Sequence, residues 1–107
     1  MINARIVFTT AGTHDEAARI ARALVERRLA ACVNIVGPIE SIYRWRDAIE
    51  TSPEFLLLVK TTGAQANAVR DIIKELNSYE LPECIEVSID AGSPEYLAWL
   101  GDAIIDI

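Results

Sequence analysis

Few side chains in this sequence are equipped for bond-making chemistry. There are one histidine, two cysteines, and sixteen Asp and Glu against ten Lys and Arg. Nucleophilic catalysis needs an activated nucleophile beside a general base, most often histidine. His14 sits in the first turn of a capped helix, where an imidazole faces solvent. No G-x-S-x-G occurs, and Gly12, Gly37, Gly63, Gly92 and Gly101 never fall into a phosphate-cradling spacing. These features predict a protein that is not an enzyme. Metal-ligand spacings of the Cys-x-x-Cys, His-x-x-x-His or calcium-loop kind are also absent. Asp15-Glu16, Glu80 and Glu83 are spaced like capping and surface carboxylates.

The aromatic residues are more informative. Tyr43, Trp45, Tyr79, Tyr96 and Trp99 are joined by Lys60 and Glu80. Tyr43 and Trp45, two apart on a strand, project to the same side. Rings with an apolar body and a polar tip serve subunit interfaces, and they also wall clefts around small ligands. Both roles remain open from sequence.

The elements that position these residues follow from periodicity. Arg5 to Thr10 forms a strand, and Ala11-Gly12 releases it into a helix beginning at His14. Thr13 and Glu16 have capping-box spacing. Ala17, Ile20, Ala21, Leu24, Val25 and Leu29 make the apolar stripe, and Arg27-Arg28 are placed to complement the helix dipole. Residues 30–60 read as two long paired strands, broken at Gly37-Pro38 and reversing near Arg46 to Pro53. Phe55-Leu56-Leu57-Leu58-Val59 is apolar at every position, so both faces of that strand need cover. Helices of so short a chain cover one face, and copies of itself must cover the other.

Thr61-Thr62-Gly63 opens a second helix with Val69, Ile72, Ile73 and Leu76 on one face, and Asn77 is placed as a left-handed cap. From Cys84 to Asp90 an alternating edge strand has one buried and one wet face. Ser93-Pro94-Glu95 then starts a last helix from Tyr96 to about Asp102, and Ile104-Ile105-Asp106-Ile107 is an apolar tail. This order predicts an α+β, ferredoxin-like split β-α-β sandwich: a four-stranded antiparallel sheet, two helices on one face and a short C-terminal helix.

The 107 residues make one domain, and 51% of them are hydrophobic. A net charge of -6 argues against nucleic acid or an anionic membrane as partner, and leaves cations admissible. RNA-recognition modules share this topology but stack bases on strand aromatics, whereas the matching strand here is aliphatic. Cys32 and Cys84 lie among apolar residues as small hydrophobes, which fits a reducing cytoplasm. The residues from Met1 to Phe8 lack the pattern of a signal peptide, and no apolar run is long enough to span a membrane.

Several segments together resemble the CutA family of divalent-cation tolerance proteins. They are Leu24-Val25-Glu26 with residues 29–35, Ser41-Ile42-Tyr43-Arg44-Trp45, residues 57–61, Tyr79-Glu80-Leu81-Pro82-Glu83 and Tyr96-Leu97-Ala98-Trp99. The match runs in order over residues 1–107. It implies a homotrimer whose sheet edges pair between subunits, similar to trimeric nitrogen-signalling proteins, and a link to divalent ions. Copper-binding bacterial relatives, the resemblance implies, place a cysteine and histidines where this chain has Thr9, Leu76 and Asn77. A hydroxyl, an amide and a leucine do not make a soft copper site. The glycine usual after the tryptophan is replaced by Asp47.

The resulting expectation is a cytoplasmic, non-enzymatic trimer tied to divalent metal tolerance, with no obligatory cofactor and a divalent cation or small metabolite as ligand. The alternative is a signal-transduction module binding a small ligand at a subunit cleft. Tyr43, Trp45, Lys60, Tyr79, Glu80, Glu83 and Trp99 are the cleft candidates. A third reading is a scaffold that only presents a trimeric surface.

Overall fold

The computed structural model describes residues 3–104. Part of the N-terminal segment weighed above as a leader, and all of the apolar tail beyond Ile104, lie outside the described residues. The elements are β1 (Ala4–Ala11), α1 (His14–Glu26), β2 (Cys32–Trp45), β3 (Ala48–Thr62), α2 (Ala66–Leu76), β4 (Ile85–Ser88) and α3 (Pro94–Ala103). The strands form one antiparallel sheet in the order β2-β3-β1-β4, the α+β sandwich expected.

Local chemistry explains the helix boundaries. Thr13 is extended and its Oγ accepts from the Glu16 amide at 3.1 Å, so that side of the capping box is made. Glu16 does not return the bond through Oε2, which is buried without a hydrogen-bond partner among the described residues. Arg27 and Arg28 lie past the end of α1, with Arg28 left-handed at φ 58°. Arg28 instead donates to the carbonyl oxygens of Asp102 and Ala103, so it complements the C-terminus of α3 and not that of its own helix. Thr61-Thr62 still belongs to β3, because the Thr61 hydroxyl is buried and donates to the Leu29 carbonyl at 2.7 Å. Consequently α2 starts only at Ala66. Asn77 ends α2 with an extended backbone, not a left-handed one. Ser93 caps α3 through the Tyr96 amide, with Pro94 in its first turn, as its sequence implies.

The reversal between the long strands is tighter than expected. Only Arg46 and Asp47 form the turn, at φ 49° and 66°, and Ala48 already pairs with Trp45. Two left-handed central residues are the hairpin geometry that matches strand twist. Residues 48–53, expected as loop, are strand, and the Gly37-Pro38 break is a bulge with a cis peptide inside β2.

Packing divides the sheet into unlike faces. Val7, Leu57 and Val59 are fully buried and pack with Ala17, Ile20, Leu24, Val69 and Ile73 of α1 and α2. Each such side chain contributes about 1.5–3 kcal/mol of burial free energy. Glu86 lies opposite Val7 in the register and is bound by Arg5 and by Arg70 of α2, which places it on the helix side. Ile85 and Val87, opposite Phe8 and Ile6, therefore point the other way, and they are 59% and 46% exposed. The β4 pattern was expected to bury its apolar side. Within one chain the covered side is that of Glu86, because both packing helices lie there. Leu56 and Leu58 share the uncovered side and are only half-buried. A second, smaller cluster joins Leu100 and Ile104 to Ala31.

Candidate functional site

The β2–β3 hairpin and the loop between α2 and β4 enclose a cleft of about 900 Å³. The hairpin supplies Tyr43, Trp45 and Arg46 from β2 and its turn, and Glu54 from β3. The bulge sets the position of Glu54. Gly37 lies so close to β3 that a Cβ there would meet Phe55 Cδ1 at 2.7 Å and the Glu54 carbonyl oxygen at 3.0 Å. Tyr43 is steadied by its hydroxyl against Ser52 Oγ at 3.2 Å, across the hairpin.

The opposing wall is the loop carrying Tyr79, Glu80 and Glu83, and it is tied to β1 at both ends. Asn77 Nδ2 donates to the Thr10 carbonyl at 2.8 Å, while its Oδ1 accepts from the Tyr79 amide at 2.9 Å. The Thr9 hydroxyl donates to the Glu83 carbonyl at 2.7 Å. Between these tethers Tyr79 reaches back to Gly12, where a Cβ would come within 3.2 Å of its hydroxyl.

Tyr79 and Glu54 both line the cleft, close enough for the Glu54 carboxylate to act on the phenol. Burial, with the Glu54 carboxylate next in weight, raises the Tyr79 phenol far above its ordinary range. The phenol stays protonated beside Glu54, which is 9% exposed. Burial raises the Glu83 carboxyl as well, reinforced by Glu54. At the rim, Arg46 grips both Glu80 oxygens at 2.7 and 3.1 Å, and its guanidinium lies 5.3 Å from the Trp45 ring centroid.

Five of the residues singled out from sequence, Tyr43, Trp45, Tyr79, Glu80 and Glu83, thus share one cleft. Lys60 and Trp99 lie elsewhere in the chain. Lys60 donates to Asn34, its diagonal neighbour on β2, and Trp99 sits half-exposed on α3 against Tyr96, with centroids 5.4 Å apart. Glu54 and Arg46 are the residues that sequence reasoning missed. A lone carboxylate before an apolar run and an arginine in a turn carry no periodic signal. Thr9 and Asn77 are engaged in the tethers just described, and Leu76 packs against the core. His14 is exposed and meets Phe55 edge-on at 5.6 Å.

Fold and site define a class of protein: a ferredoxin-like sandwich with α1 and α2 on one face, exposed apolar side chains on the edge strand β4, and an acid- and aromatic-lined cleft under a long hairpin. The chain belongs to the CutA1 divalent ion tolerance protein family, whose model matches residues 5–103. It is 45% identical over 95 residues to the divalent-cation tolerance protein CutA of Thermus thermophilus, covering 89% of this chain and 92% of that one. Identity to the CutA homolog of Xenopus laevis is 40% over 97 residues; the match covers 91% of this chain but only 64% of that protein. The crystal structure of CutA1 from Oryza sativa superposes with a TM-score of 0.96 at 33% identity, covering 99% and 97% of the two chains.

Proposed function

We propose that this chain is a non-enzymatic, cytoplasmic protein of divalent-cation tolerance that works as a homotrimer and uses the cleft as its ligand site. The observation that carries the reading is the family match over residues 5–103 on a fold that leaves Ile85 and Val87 of its edge strand exposed. The unpaired edges β2 and β4 lie at opposite ends of the sheet, so joining β2 of one copy to β4 of the next is a head-to-tail contact that can close into a ring. Such a ring shelters Ile85, Val87 and the half-buried Leu56 and Leu58. An exposed, edge-stacked His14 with no nucleophile role fits a protein that does no covalent chemistry. Two free, half-buried thiols fit a reducing compartment.

Sedimentation velocity combined with growth of a cation-sensitive host under copper and zinc tests the proposal. The chain sediments as a trimer and restores growth, and Val87→Lys, on the open face, loses both. A stable single subunit at nanomolar concentration overturns the assembly. Unaltered metal sensitivity with the trimer intact overturns the role in tolerance.

A further inference from the structure

The cleft carries more negative charge than its own cations answer. Glu54, Glu80 and Glu83 line it with Arg46 as the basic residue, and Arg46 is already engaged with Glu80. Glu54 is nine-tenths buried and lies beside a neutral phenol. The Glu16 carboxylate, 8% exposed, reached by Arg19 at 4.0 Å through Oε1 and with Oε2 unpartnered among the described residues, adds to the negative field on Tyr79. A buried carboxylate without a cation is costly, and a ligand that brings one relieves the cost.

We infer that the cleft takes a small organic cation, a flat or aliphatic body bearing a protonated amidine, guanidine or amine, seated against Tyr43 and Trp45 with its charge toward Glu54 and Glu83. This rests on the reading of the cleft as a ligand site. The size suits such a molecule, since small-ligand clefts span about 300–1,000 Å³. Arg46 already displays the recognition in miniature, a planar cation lying over Trp45 and held by both oxygens of a carboxylate. A bare metal ion asks for converging ligands, whereas among the described residues no three His, Cys, Asp or Glu side chains come together for one. Carboxylates spread around an aromatic cavity match a charge carried on an extended body. An anionic ligand meets like charge on most sides.

Three probes of one shape separate these cases by calorimetric titration of the full chain in its native association state: benzamidinium, neutral benzamide and benzoate. Benzamidinium is expected to saturate at one per chain, about tenfold or more tighter than benzamide, and to weaken with added salt, while benzoate gives no binding. Glu83→Gln weakens benzamidinium about fivefold to tenfold. Arg46→Asn keeps a residue suited to the left-handed turn, frees Glu80 and tightens benzamidinium by a similar factor. Both are surface changes, which keep the test sound where Glu54→Gln fails to fold. Benzoate binding as tightly as benzamidinium, benzamide doing so, or Arg46→Asn weakening the cation each overturns the inference while leaving the cleft a ligand site. Failure of all three probes to bind removes the ligand site as well.

Discussion

Asn77 is the residue whose replacement most directly tests how the cleft is built. Its side chain makes two hydrogen bonds to backbone, one to the Thr10 carbonyl and one from the Tyr79 amide. Asn77→Ala removes both, at about 1 kcal/mol each, and leaves the carbonyl of the buried Thr10 without this donor, so the total loss is about 2–3 kcal/mol. For a domain of this length that is a fall in Tm of roughly 10–15 °C at fixed protein concentration. Urea denaturation gives the free energy, and amide exchange over residues 78–84 shows whether the loop has come away from β1. Thr9→Val cuts the tether at the other end, the 2.7 Å bond to the Glu83 carbonyl. Because one loop hangs from both, the double variant should cost less than the two single changes together. A loss below 0.5 kcal/mol for Asn77→Ala, or unchanged exchange over the loop, refutes the account of the cleft wall as a tethered segment.

Gly37→Ala should destabilise by about 1–3 kcal/mol in urea titration, because its Cβ would press on Phe55 and on the Glu54 backbone. Asp47→Gly, at φ 66°, should stabilise by up to about 1 kcal/mol in the same assay, since glycine is the preferred second residue of this turn. For Glu83 the folded carboxyl titrates above its unfolded value, so the folded chain holds that proton more tightly and stability declines as pH rises through the folded value. Glu83→Gln should therefore gain stability over the parent at pH 7, with the gain fading toward acid where the parent is protonated. Thermal melts at several pH values check it.

The sheet and helices were legible where burial imposes a period, and obscure where it does not. Val69, Ile72 and Ile73 line the buried face of α2, and the unbroken apolar run of β3 does sit under helices on one side. The outer hairpin shows no such period because it extends beyond α1 and α2. With neither face packed, Glu50, Thr51 and Ser52 are free to be polar while fully paired. Similarly, Thr61-Thr62 looks like the start of a helix until the Leu29 carbonyl is seen to claim the Thr61 hydroxyl. In the cleft, Tyr43 and Trp45 announce themselves by two-residue spacing. Glu54 does not, because what makes it part of the site is Tyr79, a partner that only the folded chain brings near. Lys60, one of the cleft candidates, bonds instead to Asn34.

The same tethers bear on how far family resemblance carries at the level of single residues. Thr9 and Asn77 occupy positions that the resemblance assigns to cysteine and histidine in copper-binding relatives. Here both are engaged as hydrogen-bonding groups. A hydroxyl on β1 is a strong donor to the Glu83 carbonyl where a thiol is a weak one. A carboxamide donates to Thr10 while accepting from Tyr79, a pairing of roles that its two ends make possible at once. The two side chains tie the loop that carries Tyr79, Glu80 and Glu83 to β1, opposite the hairpin. The placement of this acidic and aromatic wall therefore follows from which side chains stand on β1 and at the end of α2.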